Sequence, residues 1–214
     1  MTDKSLVAHE NVVGVLLAGG LSRRMGGGDK CLRDLGGRPI LAHIIERAAP
    51  QVGRLVLNAN GDPARFDAFG LPVAADVIEG YAGPLAGVLT GLDWAAANPP
   101  GVRWLASFAC DAPFFPADMV ARMLAAVEAA GADMACAVTH GRTHPVFGLW
   151  PVDLRDALRK AMLEEEMRKV DLWTARYRLV EVEFPDIQTA KGALDPFFNT
   201  NRPEDLEEAA GYLG

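Results

Sequence analysis

The 214-residue chain has only three cysteines, Cys31, Cys110 and Cys136, and no C-x-x-C pair. They are too few and too far apart for a disulfide framework, so reduced thiols in a cytosolic, cytoplasmic protein are expected. Long apolar runs are also missing, since none approaches the roughly 20 residues of a membrane helix. The opening MTDKSLVAHENVV lacks a basic segment followed by an apolar one, so no secretory signal is expected. Positive charge is in deficit, with 21 Lys and Arg against 28 Asp and Glu for a net charge of −7. That balance argues against non-specific nucleic-acid binding. Internal repeats, low-complexity stretches and linker-like segments are absent.

What remains is an ordinary globular composition, 50% hydrophobic and 23% charged. Residues 12–18 (VVGVLLA) are nearly all apolar, as a strand buried on both faces should be. Residues 39–49 (PILAHIIERAA) have helical apolar spacing behind a proline. Strands are then expected at 54–58, 72–75 and 103–109, with a brief helix near 64–69 and longer helices at 85–97 and 116–130. Further strands are expected at 133–138 and around 146–150, and an apolar stripe marks a helix over 154–162. A last strand at 178–184 leads into a polar loop, and a terminal helix opens at Pro203. Alternation through the first 138 residues implies an α/β domain with a mainly parallel sheet. The looser last third is expected to add to the same sheet. Residues 12–214 are expected to form one domain, after a frayed leader over 1–11.

One stretch runs against the acidic background. Residues 16–30, LLAGGLSRRMGGGDK, follow the first strand and gather five glycines with Arg23, Arg24 and Lys30. The P-loop pattern fails, because Lys30 precedes Cys31 rather than Ser or Thr. The pattern G-x-G-x-x-G fails too, because Cys31 stands at the third glycine. The physics still favours phosphate. Glycines let backbone N–H groups close around an anion, and the loop sits past a strand's carboxyl end, where open α/β sheets bind ligands. The alternative is a surface loop with solvated charges, but ordinary connections in such folds run only about 2–6 residues.

The same stretch resembles the nucleotide-binding signature of nucleotidyltransferases. The ordered set LVLNAN (55–60), GPLAG (83–87), CDAPF (110–114), HPVFGLW (144–150) and FNTNRPEDL (198–206) extends the resemblance over nearly the whole chain. The family it resembles is the molybdenum cofactor guanylyltransferases. That resemblance implies a Rossmann-like three-layer fold and transfer of GMP from Mg2+-bound GTP to the terminal phosphate of molybdopterin, with release of pyrophosphate. The acceptor oxygen is already a nucleophile, so no covalent enzyme intermediate is implied.

The resemblance also implies roles for particular residues. Asp111 would hold Mg2+ at the end of the buried strand 103–109. Its alternative role is to cap a helix in DAPFFP. Lys30 would hold the nucleotide's phosphates, and Arg24 would stabilise charge at the α-phosphate and the departing pyrophosphate. Arg23 could equally be a solvated charge. The nucleotide site would further draw on Leu17, Ala18, Gly19 and Gly20, on Asn58 and Asp76, and on Gly83, Pro84 and Leu85. Asn58 and Asp76 are also residue types that cap loops and form turns. Gly19, in LAGG rather than the LAAG of related cytidylyltransferases, leans the base choice toward guanine.

The acceptor would meet Asn199 and Asn201, placed on alternate residues of a strand end, and His144 near Arg142. Asn201 could instead help start the terminal helix, and a lone histidine is often structural. Transient contacts with molybdenum-insertion proteins and apo-molybdoenzymes would follow from the same family. Trp94, Trp104 and Trp150 are expected in the core, and LEEEMRK (163–169) as a solvated helix end. A CTP-dependent or sugar-phosphate nucleotidyltransferase, or a non-catalytic molybdopterin-delivery module, remain alternatives.

Overall fold

The structure is a computed structural model and describes residues 10–19, 29–80, 83–98 and 101–213. Seven strands form its central sheet in the order β5-β4-β1-β6-β8-β7-β9. They are β1 (Val12–Leu17), β4 (Arg54–Asn58), β5 (Val73–Ala74), β6 (Trp104–Ala109), β7 (Met134–Thr139), β8 (Arg142–Pro151) and β9 (Leu179–Glu183). Within this sheet β8 alone runs antiparallel to its neighbours. Two short hairpins stand apart, β2 (Asp34–Leu35) with β3 (Arg38–Pro39) and β10 (Ile187–Thr189) with β11 (Gly192–Leu194). Besides short 3-10 turns, the α-helices are α1 (Ile40–Ala48), α2 (Pro84–Ala97), α3 (Met119–Ala130), α4 (Arg155–Glu164), α5 (Val170–Thr174) and α6 (Pro203–Ala210).

Strand alternation divides the core into two layers. Along β1, Val12 and Leu16 pack with α1, α3 and the C-terminal aromatics, whereas Val13 and Val15 pack with α2, α4 and α5. Every described side chain of β1 except Leu17 is buried, as a central parallel strand requires. On the second face, α2 lies close to the sheet because glycines replace larger residues. A Cβ on Gly91 would lie 2.9 Å from Val15 Cβ and from Leu105 Cδ2, and one on Gly87 would lie 2.4 Å from Asn58 Oδ1. Two helix-interior glycines each cost about 1 kcal/mol against alanine. That cost is set against the packing their absent side chains permit.

Most expected elements occur within a few residues of where the sequence places them. The brief helix near 64–69 is a 3-10 helix over Pro63–Phe69, capped by Asp62, whose side chain accepts the N–H of Ala64. Four features differ. The strand expected around 146–150 begins at Arg142, and the polar loop after β9 contains the β10–β11 hairpin. The segment LEEEMRK is more than a solvated end, because α4 stops at Glu164 and Met167 then turns into the core ahead of α5. Of the three expected core tryptophans Trp150 is buried, whereas Trp94 and Trp104 are half-buried; Trp173 of α5 is fully enclosed instead. Among the described residues no helix is long and apolar enough to cross a membrane.

Candidate active site

The order of connection reverses around β1, with β4 on one side and β6 on the other, and such a switch point opens a crevice at the carboxyl ends of the strands. A cleft of about 1140 Å³ occupies that position. It exceeds the roughly 300–1,000 Å³ of a pocket for one small ligand, which leaves room for two reactants side by side. Leu17, Ala18 and Gly19 reach it from β1, Asn58 from β4, and Cys110 and Asp111 from β6. Gly20, Arg23 and Arg24 lie outside the described residues, as do residues 1–9 of the expected leader.

At one end of the cleft a carboxylate is clamped by amides. Asn58 Nδ2 donates to Asp76 Oδ1 at 2.9 Å, and Asn60 Nδ2 donates to Asp76 Oδ2 at 2.8 Å. The backbone N–H of Asp76 donates in return to Asn60 Oδ1 at 2.8 Å. Both carboxylate oxygens are thereby fixed in direction yet keep lone pairs for further donors. Gly83 and Pro84 line the cleft beside them, at the start of α2. Leu85 turns away and is buried against the sheet, so it supports this wall from behind.

At the other end, Lys30 Nζ contacts Asp111 Oδ2 at 2.9 Å and Asn201 Oδ1 at 2.5 Å. Thr200, fully buried, holds the same place from beneath. Its N–H donates to the Asp111 carbonyl at 2.7 Å, and its hydroxyl donates there at 3.0 Å. Arg65 braces the neighbouring loop, pairing with Asp29 at 2.5 Å and donating to the carbonyls of Asn60 and Asp62. The guanidinium therefore joins the loop that clamps Asp76 to the residue preceding Lys30.

The third wall comes from β8. Its pairing with β7 jumps from Cys136↔Gly148 to Ala137↔His144, leaving residues 145–147 unmatched across that step. Pro145, which has no N–H to give a ladder, sits in this irregularity, and Pro145, Val146 and Phe147 line the cleft. His144 is buried there, with Nε2 2.7 Å from Thr139 Oγ1 and its ring stacked on Phe197 at 4.6 Å. Asn199 and Arg142 line the same wall. The strand end expected to carry Asn199 and Asn201 is irregular chain; Asp205 Oδ2 accepts the N–H groups of Asn201 and Arg202 there as α6 begins.

Electrostatics limit the chemistry. Burial pushes the Cys31 thiol up to about 12 and the Cys110 thiol well above its ordinary value, so neither offers a thiolate near neutral pH. Burial also lowers the His144 pKa below its ordinary 6.5. The folded state therefore binds this proton less readily than the unfolded chain. The stability contributed is present above about pH 6.5 and lost as pH falls toward the folded value. Thermal unfolding of the wild type is expected to shift down between pH 7 and 5, and that shift should shrink in His144→Gln; equal shifts in the two proteins would refute the assignment.

Asp111 suits a divalent cation as a hard oxygen donor, its side chain 31% exposed at the cleft. Among the described residues no group of three or more His, Cys, Asp or Glu could hold a metal ion. Asp111 alone suits a cation that brings most of its oxygen ligands with it. Mg2+ binds in this way, through one or two carboxylates plus water and substrate phosphates.

Residues 14–178 match the family described as the MobA-like NTP transferase domain. A molybdenum cofactor guanylyltransferase of Bradyrhizobium sp. (strain ORS 278) is 56% identical over 209 residues, covering 98% of this chain and 95% of the relative. The chain belongs to the MobA-like NTP transferase family, among the molybdenum cofactor guanylyltransferases. Solved structures agree on the Rossmann-like fold. Molybdopterin-guanine dinucleotide biosynthesis protein A from Archaeoglobus fulgidus aligns with a TM-score of 0.69 at 20% identity, over 93% of this chain and 97% of that one. Rv0371C of Mycobacterium tuberculosis H37Rv, solved with manganese, aligns with a TM-score of 0.65 at 15% identity, over 94% and 98%.

Sequence reasoning passed over Asn60, Arg65 and Thr200. Asn60 had a signal, since two asparagines two residues apart at a strand end face one side. Thr200 lay inside the quoted FNTN, and a hydroxyl that would be buried there has to find an acceptor. Arg65 carried no local mark. Its partners are 36 residues back and a few residues upstream, and only the fold joins them.

Proposed function

We propose that the chain transfers GMP from Mg2+-bound GTP to the terminal phosphate of molybdopterin, as the names of its relatives suggest. One observation carries the reading to particular residues: Lys30 and Asp111 meet at 2.9 Å in a cleft with space for two reactants. An acceptor phosphate oxygen attacks the α-phosphorus of GTP, the new P–O bond forms, and the bond to the β-phosphate oxygen breaks to release pyrophosphate. The inert thiols of Cys31 and Cys110 fit a direct transfer without an enzyme-bound nucleotide.

Lys30 neutralises the phosphates and Asp111 holds the nucleotide's divalent cation, which supplies charge stabilisation to the reacting oxygens. Arg24 and the glycines around Gly20 would add to that charge balance. Asp76, clamped by Asn58 and Asn60, accepts from the guanine N–H donors. The backbone at Leu17, Ala18, Gly19 and Gly83 and the ring of Pro84 form the walls around the nucleotide, and Leu85 backs them. His144, Asn199 and Asn201 serve the acceptor.

The reading takes residues 12–214 as one domain, because β8 and β9 join the sheet begun by β1. A cytoplasmic setting suits three buried free cysteines. The product would then pass by transient contact to molybdenum-insertion proteins or apo-molybdoenzymes. Mg2+-dependent pyrophosphate release with molybdopterin is the test, comparing GTP with CTP. Release with GTP alone is expected. Preference for CTP would overturn the base assignment, and no release with either nucleotide would overturn the activity.

A further inference from the structure

Lys30 Nζ has two partners of different kinds, the carboxylate of Asp111 and the amide oxygen of Asn201. Its side chain is only 14% exposed, so the ammonium is held between them rather than free in solvent. One of the two Asp111 carboxylate oxygens, Oδ2, is therefore already paired with a positive charge. A second cation brought to the same carboxylate would meet the ammonium at close range, and like charges at a shared site oppose one another strongly where water is partly excluded. Phosphates remove the conflict. They offer Lys30 a new set of oxygens, and a swing of its flexible stem toward them uncovers Asp111.

We propose that Lys30 is a resident counter-ion that masks Asp111 in the empty enzyme, that Asn201 positions it there, and that a nucleotide-borne divalent cation takes its place. The inference rests on the reading of Asp111 as the carboxylate for the nucleotide's cation. It goes further by making nucleotide and cation bind as a unit. Neither alone finds a good site, because the cation faces Lys30 and the bare phosphates face Asp111. It also gives Asn201 a second role. Its amide oxygen is released when Lys30 leaves, so nucleotide entry frees that oxygen for the acceptor.

Mn2+ binding to the full chain without nucleotide, read from the electron paramagnetic resonance signal of the free ion, tests the masking directly. Lys30→Met keeps the stem and removes the ammonium. It is expected to bind Mn2+ at least about fivefold more tightly than wild type, the lower end of typical site coupling. Asn201→Ala should move affinity the same way by a smaller factor. The double variant Lys30→Met/Asp111→Asn should lose the gain. If Lys30→Met binds Mn2+ no more tightly than wild type while Asp111→Asn binds it more weakly, the masking is overturned and the metal role of Asp111 stands. If the double variant keeps the whole gain, the ion sits elsewhere and both readings are overturned.

Discussion

Replacing Asp111 with alanine is expected to lower Mg2+-dependent pyrophosphate release at least about a hundredfold, the loss typical when a preorganised charge contact to a reacting centre is removed. The fold should survive. The Lys30–Asp111 pair is partly exposed, and ion pairs reached by water contribute only about 0–1 kcal/mol. The two hydrogen bonds from Thr200 go to the backbone carbonyl of residue 111, and alanine retains that carbonyl. Asp111→Ala should therefore melt within a few degrees of wild type while losing turnover. Steady-state assays at saturating Mg2+ and GTP, paired with thermal unfolding, separate the two effects. Turnover within tenfold of wild type would remove the carboxylate from the chemistry.

The carboxylate of Asp111 stood out in the sequence before the fold was known. Asp111 follows a run of apolar residues, and a carboxylate at a buried strand's end has few structural reasons to be there. The glycine-rich stretch announced itself by the same kind of mismatch, since cations and backbone freedom crowd together in an acidic chain. Asp76 and Asn58 emerged from the family resemblance, and the structure adds that they are hydrogen-bonded to each other. The contribution of Asn60 needed coordinates, because one side chain reaches both the carboxylate and the backbone N–H of Asp76 across 16 residues. The architecture of the sheet was equally readable through β7, where strand and helix alternate in short connections.

Legibility failed in the last third for a definite reason. The strand β8 carries HPVF across a break in pairing, and the side chains of Pro145, Val146 and Phe147 reach the cleft through an irregularity that no period-2 pattern announces. The hairpin β10–β11 contains only three residues per strand, with the sequence IQT paired to GAL. Such a short pair carries almost no alternation. Trp173 belongs to a five-residue helix, too brief for helical periodicity to show, yet it is among the largest buried side chains of the chain. In each case long-range packing fixes the local structure, which local propensity leaves open.

The second large effect is expected from Phe197→Ala, which tests how that last third is tied to the site. Phe197 is almost wholly buried and meets three rings: His144 at 4.6 Å, Phe147 at 4.7 Å and Phe184 at 5.6 Å; Phe147 in turn meets Phe115 at 5.7 Å. The chain between β9 and α6 has no place in the main sheet, and this aromatic cluster attaches it to the core together with Leu194 and the Thr200 hydrogen bonds. Removing the ring should cost about 3–5 kcal/mol, the usual range for a buried phenylalanine cut to alanine. The neighbouring Phe198 is only half-buried, and Phe198→Ala should cost clearly less. Urea unfolding reads both as shifts in midpoint at an unchanged slope. Function should follow in a particular order. With the stacking partner of His144 gone and Asn199 two residues away, the acceptor wall should loosen, raising KM for molybdopterin more than KM for GTP in whatever fraction stays folded. A Phe197→Ala loss below about 1.5 kcal/mol, or equal costs at the two positions, would mean that the C-terminal segment is held by Thr200 and α6 and that the aromatic cluster is packing without a positional role.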